Sequence, residues 1–217
     1  RGHSAEFARD FTITHFFNPP RTMELLEVVA GEATSPEVLE RTIRVADRQL
    51  GKTVLECRDT PGFIANRLGS HWMAVAALEA FEAGLDVETA DAIMSRPFGI
   101  PRTGVFGLFD LVGVNLVPLL WPVLTRALPA DDAAQRYDLM GDRVFKHLLD
   151  NGLIGRRGPG GFTRRKNEAG EKVDEVIDLE SLEYRARRPV TDPAGSAADL
   201  PTLLAGDSAG ATYAWTV

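Results

Sequence analysis

Four polar side chains sit in apolar surroundings where acid–base chemistry is possible. His15 and Asn18 lie in "THFFNPP" (14–20), Glu27 in "LLEVVAG" (25–31) and Asn66 in "DTPGFIANRLGS" (59–70). An imidazole with a pKa of about 6.5 can take and return a proton near neutral pH. If the first two segments are neighbouring strands, a carboxylate meets that imidazole near one end of a sheet. Such contact selects one tautomer and stabilises the imidazolium, as a general base requires. Asn18 and Asn66 could then orient a substrate oxygen or hold an oxyanion. Taken alone, a histidine beside aromatics is more often a satisfied core residue, and an asparagine before prolines is often a turn residue. Cys57, in "TVLEC", reads as a small buried strand residue rather than a nucleophile.

The elements around these residues are legible. Residues 11–17 and 25–31 read as strands, the first stopped by Pro19 and Pro20. Ser35, Pro36 and Glu37 form a helix start, with Leu39, Ile43, Ala46 and Leu50 as its apolar stripe and Gly51 as its stop. "TVLEC" is a third strand, so the start of the chain reads as a fragment of a parallel α/β sheet. After Pro61 and Gly62 the period becomes helical. Ile64, Leu68, Trp72, Val75, Leu78 and Phe81 form one stripe, and Gly84 closes that helix. Asp86 is expected to cap a helix that buries Val87, Ala90 and Met94. Asn115 is expected to cap "LVPLLWPVLTRAL", with a kink or break at Pro122. "AAQRYDLMGDRVFKHLLDNG" reads as one further helix.

The glycine cluster Gly155–Gly161 does not match G-x-G-x-x-G and follows a helix, so it reads as a hairpin or loop. The basic run Arg156, Arg157, Arg164, Arg165 and Lys166 reads as a solvated face. Residues 187–208 have linker composition.

Composition narrows the functional classes. The 217 residues are 44% hydrophobic with a net charge of -7, which argues against a general nucleic-acid binder. Mean hydropathy is -0.10, and no apolar run approaches the roughly 20 residues of a membrane span. One cysteine excludes an internal disulfide and a multi-thiolate metal site, and a cytoplasmic setting is the default expectation. The start at Arg1 and the stop at "ATYAWTV" both read as cut ends.

Three stretches, "HFFNPPRTMELLEVVAGEATSPE", "LGKTVLECRDTPGFIANRLG" and "EAGLDVETADAIMSRPFGIPRTGVFGLFDLVG", closely resemble the L-3-hydroxyacyl-CoA dehydrogenase family. The resemblance runs from about residue 11 to 162, and the three motifs stand in the family's order. It extends to the long bacterial form, in which a second helical repeat and an enoyl-CoA hydratase domain accompany the dehydrogenase.

The resemblance implies NAD as cofactor and an acyl-CoA substrate oxidised in fatty-acid β-oxidation. It makes His15 the acid/base, Glu27 its partner and Asn66 a substrate contact, with Asn18 in the same motif as His15. It also implies a fold: the distal half of a Rossmann-type sheet followed by an all-α helical domain. Residues 1–60 would close the NAD-binding domain, 61–186 form the helical domain, and 187–217 the linker and start of a further repeat. A homodimer, or docking onto a second repeat, is the expected association. Two departures stand out: Thr14 where the family has glycine, and Thr163 where tyrosine commonly follows "GGF", a change expected to be structural. The family's glycine-rich nucleotide loop is not among the 217 residues. The chain by itself is therefore expected to be inactive, and a non-catalytic association module is the alternative reading.

Overall fold

Residues 17–24 connect the first two strands, and their small number decides the sheet. A parallel connection needs a dozen or more residues, so β1 (Thr12–Phe16) and β2 (Leu25–Ala30) can only run antiparallel, and they do. Only the next pair is parallel, β2 with β3 (Thr53–Cys57), joined by α2 (Pro36–Arg48). The sheet, in order β1-β2-β3, is thus mixed, which corrects the expectation of a parallel set. The Lys52 ammonium donates to the Pro20 and Met23 carbonyls at 2.6 and 2.7 Å and ties the connection down.

This computed structural model describes residues 3–100, 103–168 and 171–217. Arg1, on which the reading of a cut N-terminus rests, lies outside them, as do Pro101 and Arg102 of the third motif. The chain forms two units, residues 1–67 and 68–217, each with its own core.

In the first unit, Ser35 accepts the Val38 N–H and starts α2, and Leu39, Ile43 and Ala46 pack onto Leu26, Val28 and Val54. Leu50 is 52% exposed, because the helix ends at Arg48 and the stripe ends with it. Helix α1 (Ala5–Arg9), capped by Ser4, has no counterpart in the sequence reading.

The second unit is helical and carries, in addition, an antiparallel sheet that sequence reading passed over as mixed charge. Helix α3 (Ala65–Glu82) buries Ala74, Val75, Ala76, Ala77 and Ala80, so of the bulky stripe expected only Val75 is buried. Ile64 and Leu68 are exposed, while Trp72, Leu78 and Phe81 pack at the margin of the core. Alanines let neighbours approach the helix backbone closely. Tyr213, on α9 (Ala209–Thr216), accordingly donates to the Ala76 carbonyl at 2.7 Å.

Helix α4 (Val87–Ile93) is capped by Asp86 and buries Val87, Ala90 and Met94 as read. Asn115 is not a cap. It lies in a 3₁₀ turn, Val114–Leu116, between α5 (Phe106–Val112) and α6 (Val117–Ala127). Helix α6 runs through Pro122 without a break. Leu119, Leu120 and Val123 around it are exposed, so water can reach the carbonyl that lost its donor. The single helix expected over 133–152 is two pieces, a 3₁₀ turn Ala133–Arg136 and α7 (Arg143–Asp150). Asp138 accepts the Met140 and Gly141 amides and Asp142 those of Val144 and Phe145, which favours a turn and a new start over continuation.

Strands β4 (Thr163–Glu168), β5 (Glu171–Ile177) and β6 (Tyr184–Ala186) follow the glycine loop, itself closed by a bridge between Gly155 and Gly160. Asp110 pins that loop, accepting the Phe162 and Thr163 amides and the Thr163 hydroxyl. Thr163 is structural, as expected. Arg164 and Arg165 pair across the strands with Glu175 and Asp174. Residues 187–208 are tied down in part by Asp192, which accepts the Ala194 and Gly210 amides and the Ser208 hydroxyl, ahead of α8 (Leu200–Leu204) and α9. Among the described residues no single helix is long and apolar enough to cross a membrane.

Candidate active site

The antiparallel register sets His15 directly opposite Glu27, and directly opposed residues share one face of a sheet. Their side chains meet, His15 Nδ1 to Glu27 Oε2 at 2.8 Å. Glu27 is fully buried, and the His15 side chain is 29% exposed. Helix α2 covers Leu26 and Val28, so Glu27 faces the opposite side of the sheet.

A buried carboxylate needs donors for all its lone pairs. Glu27 Oε1 accepts the Ile64 and Ala65 N–H groups at 3.0 and 2.8 Å, at the start of α3. Cys57 Sγ donates to the same oxygen at 3.6 Å. Burial opposes the charge on Glu27, but the Ala65 amide, His15 and the Ile64 amide outweigh it and hold its carboxyl below the usual range. Burial and the facing Glu27 charge push the Cys57 thiol up, which keeps it protonated as a donor.

The consequence for His15 is a fixed tautomer. A carboxylate against Nδ1 places the proton there, so the Nε2 lone pair is free to accept one. The rings of Phe17 and Phe63 stand 4.6 and 5.8 Å from the imidazole and limit water around it.

Asn18 is exposed just beyond β1, before a cis Pro19, and Asn66 is half-buried in the first turn of α3. Among the described residues neither amide makes a side-chain hydrogen bond, so both remain able to take a ligand, and neither is bonded to the His15–Glu27 pair. Thr14 holds its regular place opposite Val28 and leaves the strand undisturbed. Sequence reading missed the two backbone amides and the thiol around Glu27. The motif's Pro61-Gly62 turn signal was the one hint of them.

Dinucleotide binding would need free amides at a strand-to-helix glycine turn. The turn between β2 and α2 holds Gly31, but its N–H is bonded to Thr34 Oγ1, while the Thr34 and Ser35 amides go to Gly31 and Arg9 carbonyls. These three amides are therefore taken up within the chain.

Residues 3–60 match the family model "3-hydroxyacyl-CoA dehydrogenase, NAD binding domain", and residues 62–165 match "3-hydroxyacyl-CoA dehydrogenase, C-terminal domain". A putative fatty acid oxidation complex trifunctional enzyme of Rickettsia prowazekii is 42% identical over 174 residues, which are 80% of this chain and 24% of that protein. A probable 3-hydroxyacyl-CoA dehydrogenase of Bacillus subtilis is 29% identical across 100% of this chain and 28% of its own length. The chain thus spans about a quarter of these relatives. Among solved structures, (S)-3-hydroxybutyryl-CoA dehydrogenase from Ralstonia eutropha superposes with a TM-score of 0.58 at 26% identity, covering 70% of this chain and 53% of that one. The family's cofactor is NAD, as its first model states. With both models matched in order along one chain, the protein belongs to the 3-hydroxyacyl-CoA dehydrogenase family.

Proposed function

We propose that this chain supplies the acid/base and substrate-orienting part of an enzyme that oxidises L-3-hydroxyacyl-CoA to 3-oxoacyl-CoA in fatty-acid β-oxidation. The observation that carries the reading is the 2.8 Å contact between His15 and a fully buried, fully hydrogen-bonded Glu27. His15 Nε2 takes the proton of the 3-hydroxyl, and Glu27 stabilises the imidazolium that results. Asn66, and with it Asn18, offers an amide to the acyl-CoA carbonyl. Accepting the hydride is the role of NAD, outside what these residues hold.

A second reading, an association module, is favoured by one observation. On α5 and α6, Leu111, Leu119, Leu120 and Val123 are 45%, 63%, 44% and 53% exposed, and a groove beside Val112 and Leu120 is apolar. This face would meet a second copy of the chain or a second helical repeat, in a cytoplasmic enzyme. The two readings are compatible. The decisive experiment is His15→Gln in the full-length protein, assayed for oxidation of a 3-hydroxyacyl-CoA. A fall in kcat of about 10²–10⁴-fold is expected from loss of a general base, and activity within a few-fold of wild type would overturn the assignment.

A further inference from the structure

Among the described residues, two that are not glycine hold a positive φ, Phe63 at 48° and Leu182 at 62°. We propose that Phe63 is a positioning residue for proton transfer. Its left-handed backbone aims the Ile64 and Ala65 N–H groups at one oxygen of Glu27, which leaves the other oxygen to His15. This rests on the reading of His15 and Glu27 as the proton-transfer pair.

The local geometry shows why Phe63 carries this role. Thr60, Pro61, Gly62 and Phe63 form a turn closed by the Phe63 N–H on the Thr60 carbonyl at 2.9 Å. Proline second and a left-handed residue third, Gly62 at φ 77°, already satisfy such a turn. Reversing the chain therefore does not require a second left-handed residue, and for phenylalanine that conformation is costly. Its effect lies in the next two peptide units, whose N–H groups converge on Glu27 Oε1 at 3.0 and 2.8 Å. Backbone amides turned toward one point in this way form an anion-holding concavity, here at the start of an 18-residue helix. Among the described residues, the groups bonded to Glu27 are His15 from β1, Cys57 from β3 and the two amides. A strained backbone held beside a reacting pair is the circumstance in which strain has a use.

The competing explanation is packing, since the Phe63 ring stands 5.8 Å from His15. Substitutions that all remove the ring but differ in tolerance of a left-handed backbone separate the two. We would compare Phe63→Gly, Phe63→Asn, Phe63→Ala and Phe63→Val by hydrogen exchange of the Ile64 and Ala65 amides in the 217-residue chain. In the full-length protein, kcat/KM against pH is measured for a 3-hydroxyacyl-CoA, with Glu27→Gln alongside. Glycine and asparagine, which enter the left-handed region readily, should keep both amides protected and kcat/KM within a few-fold of each other. Alanine should lose protection and valine should lose more, with kcat/KM lower by roughly tenfold or more and the pH profile displaced from that of the glycine variant. If the valine variant does not fold, the glycine–alanine pair, differing by one methyl group, still decides. Equal behaviour of glycine and alanine overturns the positioning role in favour of ring packing. An unchanged pH profile in Glu27→Gln instead overturns the proton-transfer pair, and the exchange data still judge the clamp by themselves.

Discussion

Glu27 is asked to accept four hydrogen bonds from four different places, and an amide cannot do that. In Glu27→Gln the new NH₂ must face either His15 or the Ile64 and Ala65 donors, so one contact is lost whichever way it turns. On the proposed reading, the imidazolium formed when His15 takes a proton then lacks its counter-charge. A pH–rate profile of the full-length variant should show a lower kcat/KM and an acid limb displaced from its wild-type place. An acid limb in its wild-type place would show that Glu27 does not act on His15. That His15 and Glu27 belong together was legible, because alternation along two strands puts them on one face. Their surroundings were not. Backbone amides carry no residue type, and the left-handed Phe63 is invisible to a reading that assigns such conformations to glycine.

At the scale of elements, the buried ion pair between β6 and α4 is the sharpest test of the second unit. Arg185 grips Glu88 with two nitrogens at 2.7 and 3.0 Å, and the side chains are only 13% and 3% exposed. Arg185→Ala leaves Glu88 buried and unpaired, with an expected loss of about 3 kcal/mol in urea unfolding of this unit. Replacing both partners with methionine should restore much of it, because the cost comes from the orphaned charge. Burial opposes ionisation of Glu88, but Arg185 and the Arg188 amide overcome it, so its carboxyl titrates below the usual range. A lowered carboxyl stabilises the fold at neutral pH and loses that contribution as pH falls below the ordinary carboxylate range. The Arg185→Ala variant should therefore show a smaller drop in stability between pH 7 and pH 3 than wild type. Elements with their signals inside themselves were legible, α2 through Ser35 and Pro36, α4 through Asp86. Those decided by distant partners were not. The small sheet carries charge pairs across β4 and β5, and the mostly alanine buried face of α3 lets Tyr213 reach its backbone.

For the whole molecule, two properties are expected of the 217-residue chain in solution. Titration with NADH, followed by its fluorescence, should show no saturable binding at micromolar concentrations, because the 217 residues hold no G-x-G-x-x-G turn to cradle a pyrophosphate. Saturable binding, or turnover of acetoacetyl-CoA, would reveal a cofactor site elsewhere. The exposed leucines of α5 and α6 should drive self-association at tens of micromolar in sedimentation, and Leu119→Glu with Leu120→Glu should weaken it. A monomer in both cases would remove the association reading. The connection of residues 17–24 carries a further consequence, for descent. His15 meets Glu27 because β1 and β2 pair in one register, set by that connection and by the Lys52 ammonium beneath it. A strand's side chains alternate faces, so a slip by one residue would put His15 opposite Leu26 or Val28 and face Glu27 away from it. Substitutions can accumulate here one at a time, but a single-residue insertion or deletion that shifted this pairing would part His15 from Glu27, so homologues that keep the pair should keep the length of this connection.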